Sequence, residues 1–168
     1  MVRYFRLFLL FLLTLSSTAT ATMVLPLSLK EMTDQAGKIF VGRCQEISTD
    51  LDEQGIPSTY VRLRVLEAIK GVSAGSTVLV KQYGTPPRRL SVAEGERAIV
   101  PFFSPLSAIA LGPGEESLLF LYPESRLGFT SPVGLMQGKF MIRPAPDGMG
   151  PRDLQGMIRE VRRILRDE

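Results

Sequence analysis

Tyr60 to Gly71 reads YVRLRVLEAIKG, and its first six residues change character at every step. Val61, Leu63 and Val65 are apolar, while Tyr60, Arg62 and Arg64 are amphipathic or charged. Successive side chains of a strand point to opposite faces. This run can therefore bury its valines and leucine together only as a strand with one face on a core and the other in water. A helix would scatter the same residues around its axis. The alternation breaks at Leu66, and the run closes on Lys70-Gly71.

The neighbouring segments supply partners. Lys38 to Ile47, KIFVGRCQEI, starts with β-branched and aromatic residues, and Gly42 in mid-run predicts a bulge. Turn chemistry follows in TDLDEQGIPS, so the two runs are expected to form an antiparallel hairpin with a long acidic tip. Ser73 to Ser76 turns the chain into a third strand, Thr77 to Gln82, and Gly84 to Arg89 is a loop. Arg97 to Phe103 is strand-like, confined to an edge or bulge by Pro101. SPLSAIALGPGEE reads as a packed loop, and SLLFLY, Ser117 to Tyr122, as a strand buried on both faces. VGLM and KFMIR flank Gln137-Gly138, where glycine permits the positive φ of a tight hairpin turn.

Helices bracket these strands. Ser28 and Glu31 have the spacing of a capping box, with Leu27 and Met32 placed for a hydrophobic staple. A helix is expected from Leu29 to Ala36, stopped by Gly37 in the left-handed conformation. Near the end, Leu154, Met157, Ile158, Val161, Ile164 and Leu165 recur at three- and four-residue steps, which predicts an amphipathic helix over 151–166.

The first 21 residues form a separate unit. Arg3 and Arg6 precede the apolar run LFLLFLLTL, and Ala19-Thr20-Ala21 is the small-x-small pattern that signal peptidase accepts. The run is shorter than the roughly 20 residues a membrane span needs. Cleavage after Ala21 and export to the periplasm or medium are expected, leaving 22–168 as one domain. Removing Arg3 and Arg6 from the 20 basic residues leaves 18 against 17 acidic ones, a net charge of +1. That balance gives no case for nucleic acid, which selects a concentrated basic surface. Exported small domains often rely on disulfides. Cys44 is the single cysteine, so no internal bridge can form, and its apolar surroundings predict a buried thiol.

Strands with one wet face, linked by hairpins and flanked by helices, are best buried by curling round a common interior. The expected fold is mainly β: a small OB-like, partly closed antiparallel β-barrel with a short N-terminal helix and a C-terminal amphipathic helix.

LSLKEMTDQAGKIFVGRCQEI, the strand ending EAIKG, PGEESLLFLYP and VGLMQGKFMI occur in an order that resembles a family of uncharacterised exported bacterial proteins. The resemblance spans about Leu27 to Ile142 and departs between Arg88 and Leu111. The front half is more distantly similar to the netrin-like modules of tissue metalloproteinase inhibitors, and this likeness implies an OB-type barrel. Those inhibitors chelate the protease's zinc through an N-terminal cysteine. The expected mature start here is Thr22-Met23-Val24, so the resemblance does not carry that activity.

The chain has no histidine, which excludes Ser-His-Asp and Cys-His catalysis and, with one cysteine, a structural Cys/His zinc site. No phosphate-binding glycine loop or other cofactor motif is present. Asp50, Asp52 and Glu53 approach a calcium loop, but Val61 stands where an EF-hand needs its twelfth-position acid, so a solvated hairpin tip is expected and no metal site. A Ser-Lys dyad would draw on Lys70 or Lys139, yet no local motif marks a nucleophile. The arginines of the last helix, with Arg62 and Arg64, could meet anionic lipid. A helix whose apolar stripe is already committed to packing, with its arginines in water, is the preferred reading. Two functions follow. The first is a non-enzymatic binding or envelope-associated module, whose partner is another envelope protein or polymer. Its ligand-binding face would carry Tyr60, Arg62, Arg64, Tyr83 and Arg88. The second is a hydrolase or lyase using Glu67, Lys70 and Lys139.

Overall fold

The computed structural model describes residues 25–84, 109–142 and 154–167. Its elements are α1 (Leu29–Gln35), β1 (Lys38–Leu51), β2 (Pro57–Lys70), β3 (Thr77–Tyr83), β4 (Glu116–Leu121), β5 (Lys139–Met141) and α2 (Leu154–Ile164). The five strands form one antiparallel sheet in the order β3-β2-β1-β4-β5.

The alternation in β2 has the expected consequence. Val61, Leu63 and Val65 are buried, and Arg62 and Arg64 are exposed. Bulges interrupt the β1–β2 ladder, one of them at Val41/Gly42. Both strands are longer than the sequence pattern suggests, because the ladder continues through polar residues to Leu51 opposite Pro57. β4 lies between β1 and β5 and is buried on both faces over Ser117–Leu121, as expected of an unbroken apolar run.

The sheet separates two cores. On one face Phe40, Cys44, Val61, Leu63, Val78, Val80 and Leu119 pack with Ile109 and Leu111 of the loop that precedes β4. On the other, Ile39, Val41, Leu118 and Phe120 pack beneath α1 and α2, which contribute Met32, Ala36, Ile158 and Val161. The capping box forms as its spacing requires. The Glu31 amide donates to Ser28 Oγ at 3.2 Å, and the Ser28 amide donates to Glu31 Oε2 at 2.8 Å.

The barrel expectation is corrected: among the described residues the sheet is open. Closure needs the two outermost strands to pair, and β3 and β5 do not. β5 is three residues long. Among the described residues the long excursion after β4 meets the free edge of β3 in one backbone bridge, Lys81 to Phe129. Two glycine expectations are corrected as well. Helix α1 ends on Ala36 in an extended conformation, and Gly37 is needed for space, since a Cβ there would lie 2.9 Å from Pro123 Cα. The segment 133–136 is a turn, and the strand partner of β5 is β4. Its positive-φ residues are Gly134 and Leu135, not Gly138. The strand-like run Arg97 to Phe103, Arg88, Pro151 and the leader lie outside the described residues.

Candidate functional site

The tip of the β1–β2 hairpin is built by Asp52. Its Oδ1 accepts the amides of Gln54 at 2.9 Å and Ile56 at 2.8 Å, which folds DEQG into a tight turn with Gly55 at φ +74°. Its second oxygen, Oδ2, lies 2.8 Å from Lys81 Nζ. Lys81 stands in β3 directly opposite Tyr60 of β2. The same ammonium donates to Leu127 O at 2.9 Å and sits 4.2 Å from the centre of the Phe129 ring. The Lys81 carbonyl accepts the Thr130 amide at 3.0 Å. One residue therefore ties together the hairpin tip, β3 and the excursion that follows β4.

This junction is partly dry. The Asp52 side chain is 2% exposed and that of Lys81 16%. Lys81's hydrogen bond, with the Ile56 and Gln54 amides, holds the Asp52 carboxyl below the ordinary carboxylate range against the opposing effect of burial. Above the pair lies a pocket of about 360 Å³ lined by Asp52, Glu53, Gln54, Tyr60, Lys81, Arg126 and Leu127. Lys81 and Asp52 satisfy each other in its floor. The side chains of Tyr60, Glu53, Gln54 and Arg126 make no hydrogen bond or ion pair among the described residues, so the walls hold phenol, carboxylate, amide and guanidinium groups free for a ligand.

The residues expected at a binding face are divided by the structure. Tyr60 is half-buried in the pocket wall. Tyr83 follows two positions after Lys81 on the same face, 63% exposed, with its ring edge-on to Phe129 at 6.2 Å between centres. Arg62 pairs across the strands with Glu46 at 3.2 Å, where both side chains are largely in water. Arg64 lies about 13 Å along β2 from Tyr60, away from the pocket, and Arg88 is outside the described residues. Pattern reading missed Lys81, Arg126 and Leu127. Lys81 had a usable signal, since it is the lone charge in TVLVKQY and falls on the wet side of the alternation. Arg126 and Leu127 sit in an irregular loop and had none.

The carboxylate–lysine set is not assembled. Glu67 pairs with Arg162 of α2 at 2.8 Å, and Lys70 donates to the Thr33 carbonyl at 2.9 Å, both on the helix-covered face. Lys139 stands opposite Leu119 on the other face and donates to Ile109 O at 2.9 Å. Burial lowers the Lys139 pKa, with Glu115 opposing. Its partners are backbone carbonyls, so it anchors the loop that carries Ile109. Cys44 is 1% exposed, and burial raises its thiol pKa, as does nearby Glu115. Among the described residues no group of acids, histidines or cysteines could hold a metal ion. The chain matches no protein-family model, and a search of curated proteins finds no match.

Proposed function

We propose that this protein is an exported, non-enzymatic binding module of the bacterial envelope that takes its ligand at the Tyr60 pocket. The observation that carries the reading is a pocket whose floor is an internally satisfied ion pair and whose walls are four unpartnered polar side chains. The ion pair fixes the floor before a ligand arrives, and the unpartnered side chains around it can turn to meet one. Their mixed charge suits a polar ligand, such as a short segment of an envelope protein or polymer. The leader and its Ala19-Thr20-Ala21 ending support export. No helix among the described residues is long and apolar enough to cross a membrane. Lys139 lies on the other face of the sheet from Glu67 and Lys70, so the three do not share one site.

The test is photocrosslinking in the native envelope, with a photoreactive residue at Tyr60 and, as control, at exposed Gln155 on α2. The reading expects a discrete adduct from position 60 that is absent from position 155 and is lost when Arg126→Ala is added. Equal labelling at both positions, or no adduct at either, would overturn it.

A further inference from the structure

β1 outlives its neighbour. It pairs with β4 only over Lys38 to Arg43. The Cys44 amide and carbonyl are then taken by Glu115 and Gly114 of the turn before β4. Beyond that point, among the described residues, β1 pairs with β2 alone. All seven residues from Gln45 to Leu51 are exposed. The side chains of this stretch are therefore exposed on both faces, and among the described residues no strand pairs with its outer backbone edge, where the Leu51 amide donates to Asp50 Oδ1 at 2.8 Å.

The side chains along the edge are sorted by face. Glu46, Ser48 and Asp50 stand opposite Arg62, Tyr60 and Ser58, on the face that carries the exposed Arg62, although Ser58 itself is buried. Ile47, Thr49 and Leu51 stand opposite Val61, Thr59 and Pro57, on the core side. Val80, Val61 and Ile47 form one row across three strands, with exposures of 1%, 2% and 37%. The apolar row thus runs out to the edge, where Ile47 is only partly covered and Leu51 is left 62% exposed. An edge with free amides and carbonyls recruits an extended chain, and the alternate side chains choose which.

We propose that the edge of β1 from Glu46 to Leu51 binds an extended peptide as an added strand, and that the peptide alternates basic with apolar residues. Its basic side chains lie over Glu46 and Asp50, and its apolar ones over Ile47 and Leu51. A second copy of this chain is the poorer occupant. The fully overlapped two-fold register, centred on Ser48, sets each Glu46 against the other copy's Asp50, and like charges directly opposite are unfavourable. The surface is distinct from the Tyr60 pocket, so either proposal can fail alone.

The test is amide hydrogen exchange of the full protein with a soluble seven-residue peptide alternating Lys and Val, beside a Glu–Val counterpart of the same length. The expected result is exchange slowed about tenfold at edge amides between Glu46 and Leu51 by the Lys–Val peptide alone, without change at Arg126 or Leu127. In the surface variant Glu46→Lys/Asp50→Lys the preference should reverse to the Glu–Val peptide. Thr49→Pro, which removes one edge amide, should weaken binding about tenfold or more. Three results would each overturn the proposal: no slowing, slowing confined to the Tyr60 pocket, or an unchanged preference in the double variant. Edge amides already protected in the free protein at high concentration and released on dilution would do so as well, by showing a second copy in place.

Discussion

Gly138→Ala tests how tightly the turn before β5 is held to the sheet. An ideal Cβ at Gly138 would lie 2.7 Å from Val133 N and 2.8 Å from both Phe120 O and Val133 O. Those atoms belong to a closed set of backbone hydrogen bonds, each 2.8 Å long. The Val133 amide donates to Phe120 O, the Phe120 amide to Gly138 O, and the Gly138 amide to Val133 O. A methyl group cannot enter without opening the set. Overpacking costs about 1–3 kcal/mol, and each backbone bond lost adds about 1 kcal/mol. The sum is about 3 kcal/mol, or a fall in Tm of about 6–12 °C for a domain of this size. Gly55→Ala is the control. Gly55 has φ +74° and nothing within 4 Å of its added Cβ, so only left-handed strain remains, about 1 kcal/mol. Urea unfolding measures both, with an unchanged m-value confirming that the native fold is the one being compared. A Gly138→Ala variant no less stable than Gly55→Ala would mean that the turn gives way to a methyl group without losing these bonds.

Cys44 should resist a thiol reagent in the native protein at pH 8 and react fully in denaturant, because it is buried and its thiol pKa is raised. Phe120→Ala should cost about 3–5 kcal/mol by urea unfolding, as the ring is fully buried beneath the helices and packs edge-on against Phe140. Arg62→Ala should change stability by less than about 0.5 kcal/mol, since its pair with Glu46 is largely in water. Asp52 has a folded pKa below its ordinary value, so its contribution is complete above the ordinary carboxylate range and fades as pH falls through the folded value. Between about pH 5 and pH 2 the wild type should therefore lose more stability than Asp52→Asn, read from urea midpoints at each pH.

Local chemistry made several elements legible. The Ser28–Glu31 spacing places α1, the alternation of Val61, Leu63 and Val65 places β2 and its buried face, and the unbroken SLLFLY run places β4 with both faces covered. Closure was not legible, because it depends on how the two outer strands meet. The pattern of each strand is the same in an open sheet and a barrel. Glycine was read for its freedom at Gly37 and Gly138, where the structure uses it for close approach to Pro123 and to Val133 and Phe120. The pocket depends on Lys81 meeting Asp52, 29 residues earlier, and Leu127, 46 residues later. No periodicity encodes such a meeting. What the sequence offered was the wet side of β2 and β3, which brought in Tyr60 but also the water-exposed Arg62.

Lys81 closes the junction of three segments and so forms the Tyr60 pocket in advance of any ligand. Amide hydrogen exchange on wild type and Lys81→Met tests it most directly. Ile56, held by Asp52, and Thr130, held by Lys81's own carbonyl, should exchange at least about tenfold faster in the variant, while Phe40 and Leu119 in the central ladder keep their rates. Equal rates at Ile56 and Thr130 in the two proteins would contradict it.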